Sequence, residues 1–188
     1  VAATTPASAG TYVVRITGPQ GVLTSPPARV TVEPPDPGRL TNLSVRTRAG
    51  AGARTLTVGF TLAGAGQRPV LVRGVGPGLA AFGVEGALTD PALELYAGPA
   101  MAAANDNWGD PAGSGSALAA AFARSGAFGL TAGSRDAALL RPLGPGNYTA
   151  QVTAPGTVAT EGIALVELYE DPDPAAAGRL VNLSARAQ

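Results

Sequence analysis

The sequence predicts an all-β protein: an antiparallel, jelly-roll-like β-sandwich with one short helix, preceded by a β-hairpin. Three observations support this fold class. Glycine and proline, 26 and 17 of the 188 residues, are spread along the whole chain and divide it into short segments. Between them lie runs of β-branched and aromatic residues that have the length of strands. Only one segment has the spacing of a helix.

The hairpin comes first. Residues 9–17 and 22–32 are two β-rich runs on either side of a Gly-Pro-Gln-Gly turn at 18–21. A two-stranded hairpin is only marginally stable alone in water, so this one needs another surface to pack on. The proline-rich segment 34–38 is stiff and marks the end of this first part, residues 1–33.

The sandwich domain is predicted over residues 39–172. Eight short strands in about 130 residues are typical of a sandwich. One alanine-rich stretch, 116–124, has Leu118 and Phe122 at i and i+4 and predicts a helix that ends at Gly126. The predicted strands are 39–47, 55–62, 69–73, 92–96, 101–105, 136–141, 147–153 and 162–170.

Several motifs carry a resemblance to known modules. They are Leu-Glu-Leu-Tyr at 93–96, Ala-Asn-Asp-Asn at 104–107, Leu-Gly-Pro-Gly-Asn-Tyr-Thr-Ala-Gln-Val at 143–152 and Val-Glu-Leu-Tyr at 166–169. With them, the sandwich resembles the bacterial pre-peptidase C-terminal type of β-sandwich. The hairpin, with Ala-Gly-Thr-Tyr at 9–12 and Val-Thr-Val at 30–32, resembles the last two strands of bacterial immunoglobulin-like domains. The resemblance implies a noncatalytic accessory module located outside the cell or at the cell surface.

A repeat links the two ends of the sandwich. Residues 38–46, Gly-Arg-Leu-Thr-Asn-Leu-Ser-Val-Arg, return at 178–186 as Gly-Arg-Leu-Val-Asn-Leu-Ser-Ala-Arg, and seven of the nine positions are identical. An Asp-Pro pair precedes each copy, so residues 173–188 form a second linker and strand. Alternation predicts that Thr41, Leu43 and Val45 share one face, and that Val181, Leu183 and Ala185 do the same in the second copy.

Two near-identical strands cannot fill one position, so the second copy needs another place. It could open a further domain, pair at an edge of its own molecule, or add to a sheet of a neighbouring molecule. The third placement is favoured because it also gives the hairpin a partner. The predicted subunit interface therefore consists of Leu180, Val181, Leu183 and Ala185 with Tyr12, Val14 and Ile16 of the hairpin.

The composition excludes most catalytic chemistry. The chain has no histidine, cysteine or lysine, which removes the common nucleophile–base pairs, Schiff bases, the lysine of phosphate-binding loops and histidine-based metal sites. No cofactor is predicted, and the protein is not predicted to be an enzyme. Thirteen arginines balance thirteen acids without forming a run, so nucleic acid is not an expected partner. No apolar run reaches 18 residues, so membrane insertion is not expected.

One local cluster of oxygen ligands stands out. Asn105, Asp106 and Asp110 lie in a glycine-containing loop that could suit Ca²⁺, and Asp90 or Asp136 could join if the fold brings them near. The favoured alternative is an Asx-rich turn in which Trp108 covers an edge of the core.

Two functions are carried forward from the sequence. The first is a non-enzymatic structural subunit of an extracellular bacterial assembly, which polymerises head to tail by β-strand addition between copies of itself. The alternative is a carbohydrate-binding or adhesive module of a larger secreted or cell-surface protein, in which a glycan is the partner. The main alternative to self-assembly is that the chain is a piece of a tandem array in a longer surface protein.

Overall fold

The computed structural model describes residues 6–32, 39–110, 114–155, 161–173 and 176–187. The chain divides into two compact units, Val1–Gly38 and Arg39–Gln188. The predicted proline-rich linker lies outside the described residues. Within the described part of the chain, no helix has the length and apolar character needed to cross a membrane.

The first unit contains the predicted hairpin, built as two consecutive ladders. Its strands are β1 (Gly10–Tyr12), β2 (Arg15–Gly18), β3 (Gly21–Thr24) and β4 (Ala28–Val30). The inner ladder pairs β2 with β3 around the turn, and Ile16 lies opposite Leu23. The outer ladder pairs β1 with β4. Between the two ladders, the N–H of Ser25 donates to the C=O of Val14 at 2.9 Å.

The second unit is the sandwich. Each of the eight strands predicted for it is present with shifts of a few residues, and a ninth strand follows them. The strands are β5 (Asn42–Gly50), β6 (Leu56–Ala63), β7 (Arg68–Val75), β8 (Ala92–Ala97), β9 (Ala100–Asn105), β10 (Ala137–Leu143), β11 (Gly146–Thr153), β12 (Glu161–Glu170) and β13 (Arg179–Arg186).

Two antiparallel sheets form the layers of this unit. One has four strands in the order β10-β7-β12-β5, and the other has five in the order β13-β6-β11-β8-β9. In β6, every second side chain from Leu56 to Leu62 is buried in the main core, as the alternation of apolar residues requires. The all-β sandwich predicted from the sequence is confirmed.

The predicted helix is also present, as α1 (Ser114–Ser125). Leu118 and Phe122 are buried in a second apolar cluster together with Leu71 of β7 and Tyr169 of β12. The helix ends where the N–H of Ala127 donates to the C=O of Phe122 at 2.9 Å, next to Gly126 in the left-handed conformation. This second cluster lies on the face of the four-stranded sheet opposite the main core, because Val70 and Val72 of the same strand belong to that core.

The two copies of the repeat occupy different sheets of one unit. The first copy forms β5 at the edge of the four-stranded sheet, and the second forms β13 at the edge of the five-stranded sheet. The argument that the second copy has no place in its own molecule is therefore wrong, because a second edge position exists. Of the three placements considered, the structure has the intramolecular one.

The predicted burial of the second copy also needs a correction. A bulge interrupts the pairing of β13 with β6 between Leu180 and Asn182. Because the bulge adds one residue, Leu180 and Leu183 both face the core although they are three positions apart. Val181 and Ala185, which were expected to be buried with Leu183, are exposed.

Candidate functional site

Strand β13 is held on its own sandwich by two buried charged side chains. Arg68, at the start of β7, donates from Nε to the C=O of Gly178 at 2.6 Å and from Nη1 to the C=O of Asp173 at 3.0 Å. A third bond joins its Nη2 to the C=O of Ala176. These carbonyl groups belong to the segment that leads into β13, so Arg68 fixes the path of the chain to the edge of the sheet.

Glu170 holds the first residues of the strand. Its Oε1 accepts the N–H of Leu180, and its Oε2 lies 2.8 Å from Nη1 of Arg39. Arg39 and Arg179 are equivalent positions of the repeat. The N–H of Glu170 also donates to the C=O of Thr41 at 2.8 Å. One glutamate therefore contacts the beginnings of both copies of the repeat.

The slot beside β6 is shaped for the serine of the repeat. A Cβ atom at Gly59 would lie 2.8 Å from Oγ of Ser184, so the serine hydroxyl group would have to move from its present position. Ser184 Oγ also donates to the C=O of Gly59 at 3.3 Å. Glycine at this position therefore leaves room for that hydroxyl group between the two strands.

The residues predicted for a subunit interface are divided by the structure. Leu180 is only 2% exposed and belongs to the core of its own unit, where Leu183 packs against the same core. Val181 and Ala185 are exposed on β13. The two leucines are thus already packed in the core, whereas the exposed pair on β13 is accessible to another molecule.

The hairpin residues predicted for the interface are exposed in the first unit. Val14, Ile16 and Leu23 are 63%, 61% and 71% exposed, and Tyr12 is also exposed. The hydroxyl group of Tyr12 donates to the C=O of Ser8 at 2.8 Å. An unpaired apolar surface of this kind is typical of a surface that associates with another one.

The loop considered as a possible calcium site is organised by Asn105. Its Nδ2 donates to the C=O of Asn107 at 2.9 Å and of Asp110 at 3.1 Å, and its Oδ1 accepts the N–H of Ala138 at 2.9 Å. The side chain thereby closes the loop on itself and ties it to β10. This is the Asx-rich turn, and Trp108 is buried beside it as that interpretation requires.

The two aspartates of this loop border an open cleft of about 650 Å³ together with Asp90. Asp90 forms an ion pair with Arg135 at 2.7 Å. Partial burial raises the pKa of Asp106 above its usual value, and the charges of Asp90 and Asp110 raise it further against the opposing effect of Arg135. In the described ranges, no group of three or more carboxylates is close enough to hold a metal ion.

Replacing Asn105 by alanine should lower the free energy of unfolding by about 2–3 kcal/mol, because the N–H of Ala138 and two carbonyl groups lose their partner. Urea denaturation measures this loss, and Asn107→Ala in the same loop is the matched control. The loss should be the same with and without added Ca²⁺. A loss that appears only when Ca²⁺ is present would contradict the structural role and favour a metal ligand.

Asp136 does not join the cleft. It is fully buried and accepts the N–H groups of Gly76 at 2.8 Å and Gly78 at 3.1 Å, together with the hydroxyl group of Ser134 at 2.7 Å. The turn that contains Gly76 and Gly78 therefore binds a carboxylate of its own chain.

A buried charged cluster under α1 was missed by the sequence analysis. Arg73 has no exposed surface, and its guanidinium group lies between the rings of Phe122 and Phe128, 4.6 and 4.3 Å from their centroids. Its Nε is 3.3 Å from Oε2 of Glu167. The other oxygen of Glu167 accepts the hydroxyl group of Tyr169 at 2.8 Å. The signal available in the sequence was a charged residue inside each of two apolar strands.

Burial changes the ionisation of this cluster. It lowers the pKa of Arg73, although the charge of Glu167 opposes the change. It raises the pKa of Tyr169 to about 12, with a further contribution from the hydrogen bond to Glu167. The cluster is enclosed by α1 and by the sheet, so its charged groups contribute to the packing of the helix on the sheet.

The tyrosines do not form one platform for a sugar. Tyr148 stacks on Phe60 with centroids 5.3 Å apart, Tyr169 is buried, and Tyr96 bonds to Glu94 at 2.7 Å. The remaining exposed aromatic side chain of the sandwich is Phe82, which borders a groove of about 410 Å³.

Comparison of this chain with protein-family models, curated proteins and solved structures finds no match.

Proposed function

We propose that this chain is a non-enzymatic structural subunit of an extracellular bacterial assembly and that it associates with copies of itself. The observation that carries the proposal is the apolar surface of the hairpin, centred on the pair Ile16 and Leu23. A two-stranded hairpin cannot bury these side chains within itself. Covering them with the same surface of a second copy is the simplest way to remove them from water.

The composition agrees with a structural role. The chain lacks the histidine, cysteine and lysine side chains on which most hydrolases and transferases depend. Two of its buried acids, Asp136 and Glu170, bind backbone N–H groups of their own chain. Two others, Glu167 and Asp171, form ion pairs with arginines. Those carboxylates are engaged in the fold, so they are poor candidates for acid–base catalysis.

The proposal differs in one respect from the sequence-based hypothesis. Because β13 lies on its own sheet, association through the hairpin does not require that strand to leave. The head-to-tail arrangement stays a prediction. It would follow if the hairpin of one copy met a different surface of the next copy, and a closed dimer would follow if two hairpins met each other.

Replacing Ile16 and Leu23 together by serine should weaken association more than about a hundredfold, because each buried side chain contributes about 1.5–3 kcal/mol. Sedimentation velocity over a range of concentrations measures the change. The matched control is Thr17→Ser with Val22→Ser, the neighbouring cross-strand pair whose side chains point to the opposite face. Negative-stain microscopy of the wild-type protein would show whether the assembly is a closed dimer or a filament.

A wild-type protein that stays monomeric at all concentrations would contradict this function. The second candidate is then the glycan-binding or adhesive module. It is supported by the groove between Phe82, Phe128 and Arg46, where an exposed ring stands beside polar groups. That candidate requires saturable binding to a glycan, and Phe82→Ala should abolish the binding.

A further inference from the structure

The two copies of the repeat pair with their neighbouring strands through opposite sides of the strand. In an antiparallel ladder, each residue turns its N–H and C=O to one side, and successive residues alternate between the two sides. In β5, the C=O of Thr41 accepts the N–H of Glu170, which continues β12. Leu43 and Val45 are therefore turned toward β12. Ser44 and Arg46, with Asn42, are turned toward the open edge of the sheet.

The same alternation can be followed across the five-stranded sheet. The N–H of Gly98 donates to the C=O of Asn147. The backbone N–H and C=O of Asn147 are therefore turned toward β8. Its neighbour Tyr148 is then turned toward β6, where it lies opposite Phe60. Gly59 is consequently turned toward β13.

It follows that β13 turns the polar residues of the repeat toward β6. Ser184 lies opposite Gly59, and Asn182 and Arg186 are turned the same way. Leu183 and Ala185 are turned to the open edge. The N–H of Leu180 confirms this pattern, because it is turned away from β6 and bonds to Glu170.

The edge that β5 leaves open is therefore the edge that β13 uses to bind β6. The equivalent residues are Asn42 and Asn182, Ser44 and Ser184, and Arg46 and Arg186. The faces match as well as the edges, since Leu43 and Leu183 both pack against the main core. A strand with the sequence of the repeat can pair with β12 on one side and with β6 on the other at the same time.

We propose that the open edge of β5 binds β6 of a second copy of this chain, and that β13 is an internal copy of β5 that covers β6 in the single chain. The exchange is reciprocal, because every copy has both edges, and it produces a closed dimer with a two-fold axis. Ser44 of one copy would meet Gly59 of the other in the slot that Ser184 fills. The proposal extends the proposed self-association to a surface of the sandwich that is separate from the hairpin.

The test releases β13 in the full chain. Ser184→Pro removes an N–H that is turned toward β6, and a proline ring is not tolerated inside a ladder. Ala185→Pro is the matched control, because its N–H is turned to the open edge where proline is accepted. Both variants are made together with Ile16→Ser and Leu23→Ser, so that the hairpin does not contribute. This background separates a failure of the present proposal from a failure of the proposed function.

With β13 released, Ser184→Pro should double in mass by sedimentation velocity, whereas Ala185→Pro should stay a monomer. Adding Arg46→Pro should return the dimer to a monomer, because that N–H is turned to the edge that binds β6 and is not used for β12. Amide hydrogen exchange at Ser44 and Arg46 should slow by about tenfold or more in the dimer. Arg68→Met, which removes the bonds to the C=O groups of Asp173, Ala176 and Gly178, releases the strand by a second route and should give the same dimer.

Two results would overturn the proposal. The first is that both Ser184→Pro and Arg68→Met stay monomeric, since an uncovered β6 would then not bind β5. The second is that they associate but Arg46→Pro has no effect, since the contact would then involve another surface. Aggregates that are insensitive to Arg46→Pro count as the second result.

Discussion

Replacing Glu167 by alanine is expected to lower the free energy of unfolding by about 3–5 kcal/mol, because the fully buried guanidinium group of Arg73 then loses the carboxylate with which it forms an ion pair. The hydroxyl group of Tyr169 loses its acceptor in the same variant. A loss of this size is a large part of the total stability of an ordinary domain. Chemical denaturation followed by tryptophan fluorescence measures it, since Trp108 lies 5.7 Å from the ring of Phe122 in the same cluster.

The matched control for this prediction is Glu161→Ala. Glu161 also pairs with an arginine of its own chain, Arg54, at 2.9 Å, but both side chains are partly exposed. Its loss should cost less than about 1 kcal/mol. The double variant Arg73→Met with Glu167→Leu should recover most of the stability, because no charge is then left buried. Equal losses in Glu167→Ala and Glu161→Ala would show that the buried pair is not as isolated from water as the structure has it.

The second large effect is expected at Asp136. Its replacement by alanine should cost about 3–5 kcal/mol, because the N–H groups of Gly76 and Gly78 and the hydroxyl group of Ser134 lose one shared acceptor inside the fold. Gly76 cannot move to find another partner. A Cβ atom at that residue would lie 2.0 Å from the C=O of Leu88, so its backbone is packed against the neighbouring loop.

Asp136→Asn should lose less than Asp136→Ala, since the amide oxygen still accepts one of the N–H groups. Asp90→Ala is the control, because that carboxylate pairs with the largely exposed Arg135. Urea denaturation of the three variants gives the order of stability. If Asp136→Ala is no less stable than Asp90→Ala, the turn at 76–78 is held by contacts other than this carboxylate.

The strands could be predicted because each depends on a local pattern. In β6, apolar and small or polar residues alternate over eight positions, and the glycine at 64 follows directly. The helix at 114–125 could be predicted in the same way, from Leu118 and Phe122 one turn apart. Such patterns require only that a segment has one face toward solvent and one face toward the core.

The position of β13 could not be predicted by that means. Its sequence is nearly that of β5, and local pattern gives both the same preference. What separates them is the choice of edge and the bulge after Leu180, which depend on Arg68 and Glu170 far away in the chain. The burial of Arg73 was missed for a related reason, because it depends on α1 and the loop after it covering the outer face of the sheet.

The two edge strands that carry the repeat each have an exposed arginine, Arg46 on β5 and Arg186 on β13. If two β5 strands paired antiparallel about Arg46, the two arginines would lie directly opposite each other, and like charges in that position repel. This repulsion opposes one form of unwanted association, in which an edge strand pairs with the same strand of another copy. Added salt screens this repulsion. Pairing of identical edge strands is therefore expected at high salt and high protein concentration rather than in dilute solution.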